Sequence, residues 1–143
     1  METGDRTGAP RPRPARGRRT LTAVRMIATL HGVVILAQPV FAGRYLTGDY
    51  DMLAVHALGA DLVFYLGLVQ LVASLLLWWR AGPRWPAAVS LLLALGETGQ
   101  YFAGLAGVLD LHVPLGVALT VLMAVTLLGL WRGRSPRGRM VRG

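Results

Sequence analysis

Two of the three histidines are placed to share one metal ion. His56 and His112 each lie about 3 Å inside the start of a long apolar run, counting ~1.5 Å per helical residue. Gly59 follows His56 and Gly116 follows His112 by about one turn, leaving each helix face open beside its imidazole. Two imidazoles bonded to a central iron at about 2 Å need Cα atoms roughly 13 Å apart, and diagonal helices of a four-helix bundle are ~14 Å apart. The pattern therefore points to axial ligation of a haem edge-on in a bundle. The plainer alternative makes both histidines interfacial residues at helix starts beside Asp51 and Asp110. In that case Asp110 is an N-cap and Pro114 belongs to the first turn. A zinc site is less well supported, because no third and fourth ligand is evident at that depth.

The other polar residues within the apolar runs are His31, Asp61, Glu97, Gln38, Gln70 and Gln100. Ionisable groups inside a membrane are costly and are functional candidates by default. His31 lies ~16 Å and Glu97 ~13 Å from the outer ends of their runs, on diagonal helices. They are expected either to form a buried ion pair or proton relay beneath a porphyrin, or to be separate anchors bonded to backbone or water. Asp61 sits five residues after His56, ~140° around the helix, and should meet a neighbouring helix or a partner. Arg44 suits a haem propionate, or equally a local pairing with Asp49 or Asp51.

The elements that must position these groups follow from hydropathy. About 20 apolar residues span a bilayer as a helix. Four such runs are expected at 21–42, 54–79, 86–107 and 111–131, joined by short connections. The expected fold is all-α, an up-down four-helix membrane bundle. Each run carries a stripe of polar and small residues that should face the interior, since Leu and Val meet lipid without cost. No internal repeat stands out. Residues 1–20 are rich in Arg, Pro and Gly, and are expected to form a disordered tail; 132–143 form a second basic tail.

The chain has 143 residues, 54% of them apolar and 15% charged, with a net charge of +8 and a mean hydropathy of +0.50. Soluble domains carry about 25% charged residues. An ordinary soluble enzyme, a disordered protein and a disulfide scaffold are thus excluded. With no cysteine, so are thiolate metal sites and c-type haem attachment. Every basic residue is Arg; with Asn absent this is the signature of GC-rich coding and says little about function. Fourteen of the 15 arginines fall on one side, in the two tails, in the 80–85 connection and, as Arg25, near the start of the first run, and Arg44 alone lies on the other side. Both termini should therefore be cytoplasmic. Trp78, Trp79, Trp85 and Trp131 fit the inner interface, and Tyr45, Tyr50 and Tyr101 the outer one. The arginines set topology and attract anionic lipid; nucleic acid is not an expected partner. Arg18-Arg19 before an apolar run faintly suggests a cleavable signal. The run is longer than a signal core of about 7–15 residues and holds His31, Gln38 and Pro39, which suits a span better.

The residues His56 in LAVHALGAD (53–61) and His112 in LHVPLG (111–116) resemble the histidines of one four-helix half of haem A synthase. In that family they lie near the outer ends of the second and fourth helices and bracket a b-type haem. Gln100 and Gly104 match a Gln-x-x-x-Gly of the family's third helix, and AGRYLTGDYD (42–51) loosely matches its Gly-rich turn. The resemblance covers roughly residues 25–130. It stops at one four-helix unit where the synthase has two, at Leu53 where the family has an acidic residue, and at the absent loop cysteines. The chain also resembles small uncharacterised four-helix integral membrane proteins of high-GC bacteria, a likeness that brings no activity with it.

The expected function is a haem b-binding protein of the bacterial cytoplasmic membrane. A bis-His haem is coordinatively saturated, which favours electron transfer or haem handling over oxygen chemistry. Beyond the lipid bilayer, a quinone or a redox membrane partner and a homodimer are the candidate partners. The rival readings are a cofactor-free assembly or interaction subunit, and a small proton or solute transporter using His31, Asp61 and Glu97.

Overall fold

The computed structural model describes residues 15–80 and 82–132. They form four helices: α1 (Ala15–Leu46), α2 (Met52–Trp79), α3 (Trp85–Leu105) and α4 (Leu109–Arg132). The expected tail at 1–14 and the tail beyond Arg132 lie outside the described residues. Residues 15–20 do not belong to a disordered tail; they are the first turns of α1. Arg is a good helix former, so a helix nucleated on the apolar run propagates back through Arg16, Arg18 and Arg19.

Glycine sets two of the boundaries. Gly107 takes a left-handed backbone (φ 69°) and ends α3 at Leu105, two residues before the expected end. The Val108 amide then donates to the Ala103 carbonyl at 3.0 Å, closing the turn as a C-terminal cap. Gly48 (φ 103°) does the same work after α1, which runs through Pro39 to Leu46. Asp110 lies inside α4, where its Oδ1 accepts from the Leu111 amide, so it is not an N-cap. Asp51 stands at the N-cap of α2 without a side-chain hydrogen bond.

Three helical stretches, Gly17–Leu46, Met52–Trp79 and Leu109–Arg132, are long and apolar enough to cross a membrane. The expectation was four. At 21 residues α3 is roughly 32 Å long, so length is not its limit. Its composition is less apolar because it carries Ser90, Glu97, Thr98 and Gln100. Ser90 and Glu97 are buried against the other helices rather than turned outward.

Each helix packs against its neighbours in the order α1–α2–α3–α4–α1, with no close backbone approach between α1 and α3 or between α2 and α4 among the described residues. The interior stripes are those of polar and small residues: His31 and Ile35; Gly59, Gly67, Gln70 and Ser74; Ser90, Ala94 and Glu97; Leu119, Met123 and Thr126. One apolar cluster joins Ile35, Leu93, Leu119 and Met123, and a second joins Val24, Ala28, Leu77 and Leu130. The outer faces carry Leu30, Val33, Leu62, Leu95, Val117 and Val121, all exposed, which is the surface of a protein that contacts lipid. Arg25 is buried at one end of the bundle. Its Nε donates to the Leu130 carbonyl at 2.7 Å, a cation at a helix C-terminus, and its guanidinium lies over the Trp131 ring.

Candidate functional site

His56 enters from the first turns of α2 and His112 from the first turns of α4. The two helices are diagonal, yet their side chains meet: the ring centroids are 6.1 Å apart at an interplanar angle of 71°. For one metal ion on a common axis, the metal–nitrogen bond is about 2 Å and the ring centre lies about 1.1 Å further on, so two such imidazoles stand about 6 Å apart. Both ring planes then contain the axis, and the angle between them is free. The observed separation and angle are also those of an ordinary edge-to-face ring contact.

The two imidazoles are held in the same way. His56 Nδ1 lies 3.3 Å from the Gln38 carbonyl oxygen, and His112 Nδ1 lies 3.0 Å from the Gln100 carbonyl oxygen. A carbonyl only accepts, so in each ring Nδ1 carries the proton and donates it. Nε2 makes no hydrogen bond among the described residues. A metal-ligating histidine is commonly oriented by such a bond from its other nitrogen.

The glycines complete the symmetry, although not as open faces. A Cβ on Gly59 would collide with the Gln38 side chain, and one on Gly116 would lie 2.8 Å from Gln100 Nε2. Gln38 and Gln100 each therefore support an imidazole with a carbonyl and lay an amide over the glycine one turn further along. Gln38 Oε1 and Gln100 Oε1 are both buried without a hydrogen-bond partner. The hairpins α1–α2 and α3–α4 thus present the same Gln–His–Gly unit twice. Unequal spacings hide it in the chain: Gln38 and His56 are 18 apart, Gln100 and His112 only 12.

Gly104 packs directly on the second ring; an added Cβ would lie 2.9 Å from His112 Cε1 and 3.1 Å from Nδ1. Gly104→Ala should push His112 off the Gln100 carbonyl. Outer partners of a ligating histidine are worth about 10–100-fold in metal affinity. Under the haem reading proposed below, haem retained by the purified variant should fall by that factor, while its helical circular dichroism is unchanged.

The structure also brings His31 and Glu97 together. Nε2 and Oε1 are 3.1 Å apart, with both side chains buried, although the approach is not aligned as a hydrogen bond. His31 Nδ1 donates to Gln70 Oε1 (3.0 Å), Gln70 Nε2 donates to Ser90 Oγ (3.1 Å), and Ser90 and Ser74 hydroxyls are 3.1 Å apart. Gln70, Ser74 and Ser90 were not singled out as a group from sequence; Ser74 and Gln70 share the polar stripe of α2, but nothing in the chain indicates that Ser90 meets them.

Asp61 and Arg44 stand apart from both groups. Asp61 Oδ1 accepts from the Tyr101 hydroxyl of α3 at 3.0 Å. Arg44 pairs with Asp49 in the α1–α2 connection, the local alternative of the two expected for it. Among the described residues no group of three or more His, Asp or Glu side chains could hold a metal ion, so the donor set at the histidine pair is two imidazoles.

No family model, curated protein or solved structure matches the chain.

Proposed function

We propose that the protein is an integral membrane haem b-binding protein, with His56 and His112 as axial ligands, acting in electron transfer or haem handling at the extracytoplasmic side. The observation that carries this reading is the 6.1 Å separation of two imidazoles whose Nδ1 atoms are both held by backbone carbonyls. Two nitrogen donors suit an iron whose four remaining positions come from a porphyrin, and they are too few for a structural zinc. The unpartnered amide oxygens of Gln38 and Gln100 add polar, adaptable groups beside the rings. The bound group supplies one-electron chemistry; the protein's part is to orient two imidazoles and exclude water.

In this reading all four helices cross the membrane up and down, α3 included. Both termini and the 80–85 connection face the cytoplasm, as arginine placement argues. The histidine pair then opens toward the outer face, where a quinone or a redox partner would exchange electrons. A dimer would bring two such units side by side, in the eight-helix arrangement of haem A synthase, the family the histidine motifs resemble.

A second reading is favoured by one feature of the same site. The rings already touch edge to face, so the pair is self-consistent as packing in a cofactor-free assembly subunit. Purification in mild detergent after expression with haem supplied separates the two. The haem reading expects a reduced-minus-oxidised difference spectrum with a sharp b-type α-band; a colourless protein overturns it.

A further inference from the structure

The arginines gather at one end of the bundle. Arg18 and Arg19 lie in the first turns of α1, Arg25 follows two turns on, Arg80 and Arg84 flank the α2–α3 connection, and Arg132 ends α4. The acidic side chains of the described residues, Asp49, Asp51, Asp61, Glu97 and Asp110, all stand in the opposite half. Among the described residues this end therefore has no carboxylate, and its field favours an anion.

A pocket of about 360 Å³ opens there, lined by Arg18, Arg19, Leu21, Thr22 and Arg25. Small-ligand sites measure about 300–1,000 Å³. Arg18, Thr22 and Arg25 are four and three residues apart, so they share one face of α1. Helical side chains lean toward the N-terminus, which brings Arg25 back toward Arg18. Arg25 is held in place before any ligand arrives. It is 3% exposed, its Nε donates to the Leu130 carbonyl at 2.7 Å, and its guanidinium lies 5.4 Å from the Trp131 ring centre. Arg18 and Arg19 are exposed and able to close on a ligand. The Thr22 hydroxyl donates to the Arg18 carbonyl at 3.1 Å, so the donors offered to an anion come from arginine. Guanidinium groups pair best with planar or tetrahedral oxyanions, phosphate above all in a membrane.

The same face continues as hydrocarbon. Met26, Leu30 and Val33 follow Thr22 at spacings of four, four and three, and each is more than half exposed. From Thr22 to Val33 the helix rises ~16 Å. That is about half of the ~30 Å hydrocarbon core, the depth of one leaflet. A soluble anion matches only the pocket. A molecule with a phosphate at one end and an acyl chain behind it matches the whole strip.

We infer that this strip of α1 binds one anionic phospholipid, with its phosphate among Arg18, Arg19 and Arg25 and an acyl chain along Met26, Leu30 and Val33. It is a fixed site for a single lipid, distinct from the diffuse attraction that any basic end exerts on an anionic membrane. It is also independent of what the histidine pair holds. The other side of the same helix provides the control. Thr20 lies ~200° around α1 from Arg18, and it receives a hydrogen bond from Arg80 at 3.3 Å. The α2–α3 connection, with Arg80 and Arg84, thus meets α1 away from the pocket.

The test titrates the full chain, delipidated in non-ionic detergent, with phosphatidylglycerol and with phosphatidylcholine of the same acyl chains, counting bound lipid by native mass spectrometry. One phosphatidylglycerol per chain is expected, held about tenfold or more tighter than phosphatidylcholine. An arginine beside an anionic lipid is worth about fivefold, so Arg18→Gln with Arg19→Gln should weaken binding about 25-fold. Arg80→Gln with Arg84→Gln removes the same charge and should change it by about twofold or less, since salt screens the more distant pair. Equal weakening by the two pairs overturns the inference, because a diffuse field then accounts for the binding. Equal affinity for the two lipids, or no retained lipid, also overturns it. Displacement of the lipid by equimolar inorganic phosphate does so too, since the pocket would then be a site for a soluble phosphate. Should the first double variant fail to fold, Arg18→Gln alone decides: a loss of about fivefold is expected, and an unchanged affinity contradicts the site.

Discussion

His56→Ala and His112→Ala should each abolish the low-spin haem spectrum completely, whereas His31→Ala should leave it in place. The asymmetry is the informative part. His31→Ala strands the buried Glu97 and is the most destabilising of the three, so a spectrum lost through unfolding would be lost there first. Only the outer pair has its rings 6.1 Å apart with both Nδ1 atoms committed to carbonyls. In the haem reading, removal of either imidazole would leave the group a single protein ligand or release it. Loss in His31→Ala alone, with the spectrum intact in the other two, would place the metal on the wrong pair. Absorption spectra of the purified variants, normalised to protein, make the comparison.

The second large effect concerns stability. His31→Leu leaves the buried Glu97 without its partner, and removing one member of a buried ion pair costs about 3–5 kcal/mol. Replacing both members, His31→Leu with Glu97→Leu, removes the unpaired charge as well, and such exchanges are commonly neutral or stabilising by about 1–4 kcal/mol. Thermal unfolding in detergent should therefore show the single variant far less stable than the wild type and the double variant restored to it or beyond. Similar losses in single and double variants would mean that the polar network through Gln70, Ser90 and Ser74 stabilises the core beyond its charge pairing.

Much of the frame is legible in the chain because hydropathy reports what faces lipid. The runs at 54–79 and 111–131 lie within a few residues of α2 and α4, and the stripes of polar and small residues are the interior ones. Boundaries shift where a local rule outweighs hydropathy. α1 begins in a basic segment because arginine extends a helix already nucleated, and α3 stops early because Gly107 adopts a left-handed cap. α3 is less apolar than its neighbours for the same reason that it is informative: Ser90, Glu97 and Gln100 serve the interior.

That His56 and His112 come together was readable from depth and phase, because both lie about one turn from the start of their helices. The supports of the pair were not. Gln38 and Gln100 stand out as polar side chains in apolar runs, but the contacts to the imidazoles run through their backbone carbonyls, which every residue possesses. The repeated Gln–His–Gly unit is obscured by connections of different length, Thr47–Asp51 in one hairpin and Ala106–Val108 in the other. Gly59 and Gly116 were read as space for a flat ligand; in the structure that space holds the amides of Gln38 and Gln100. Ser90 meets Gln70 and Ser74 only through the angle at which α2 and α3 pack, which periodicity within one helix does not encode.

The central claim is that two imidazoles from diagonal helices hold one iron between them. Low-temperature electron paramagnetic resonance of the ferric protein, with haem quantified per chain, tests it most directly. The account predicts one haem per chain and a low-spin ferric signal characteristic of two imidazole ligands, lost in both His56→Ala and His112→Ala. A high-spin signal in the wild type, a low-spin signal that survives in His112→Ala, or no haem after expression with haem supplied would contradict it.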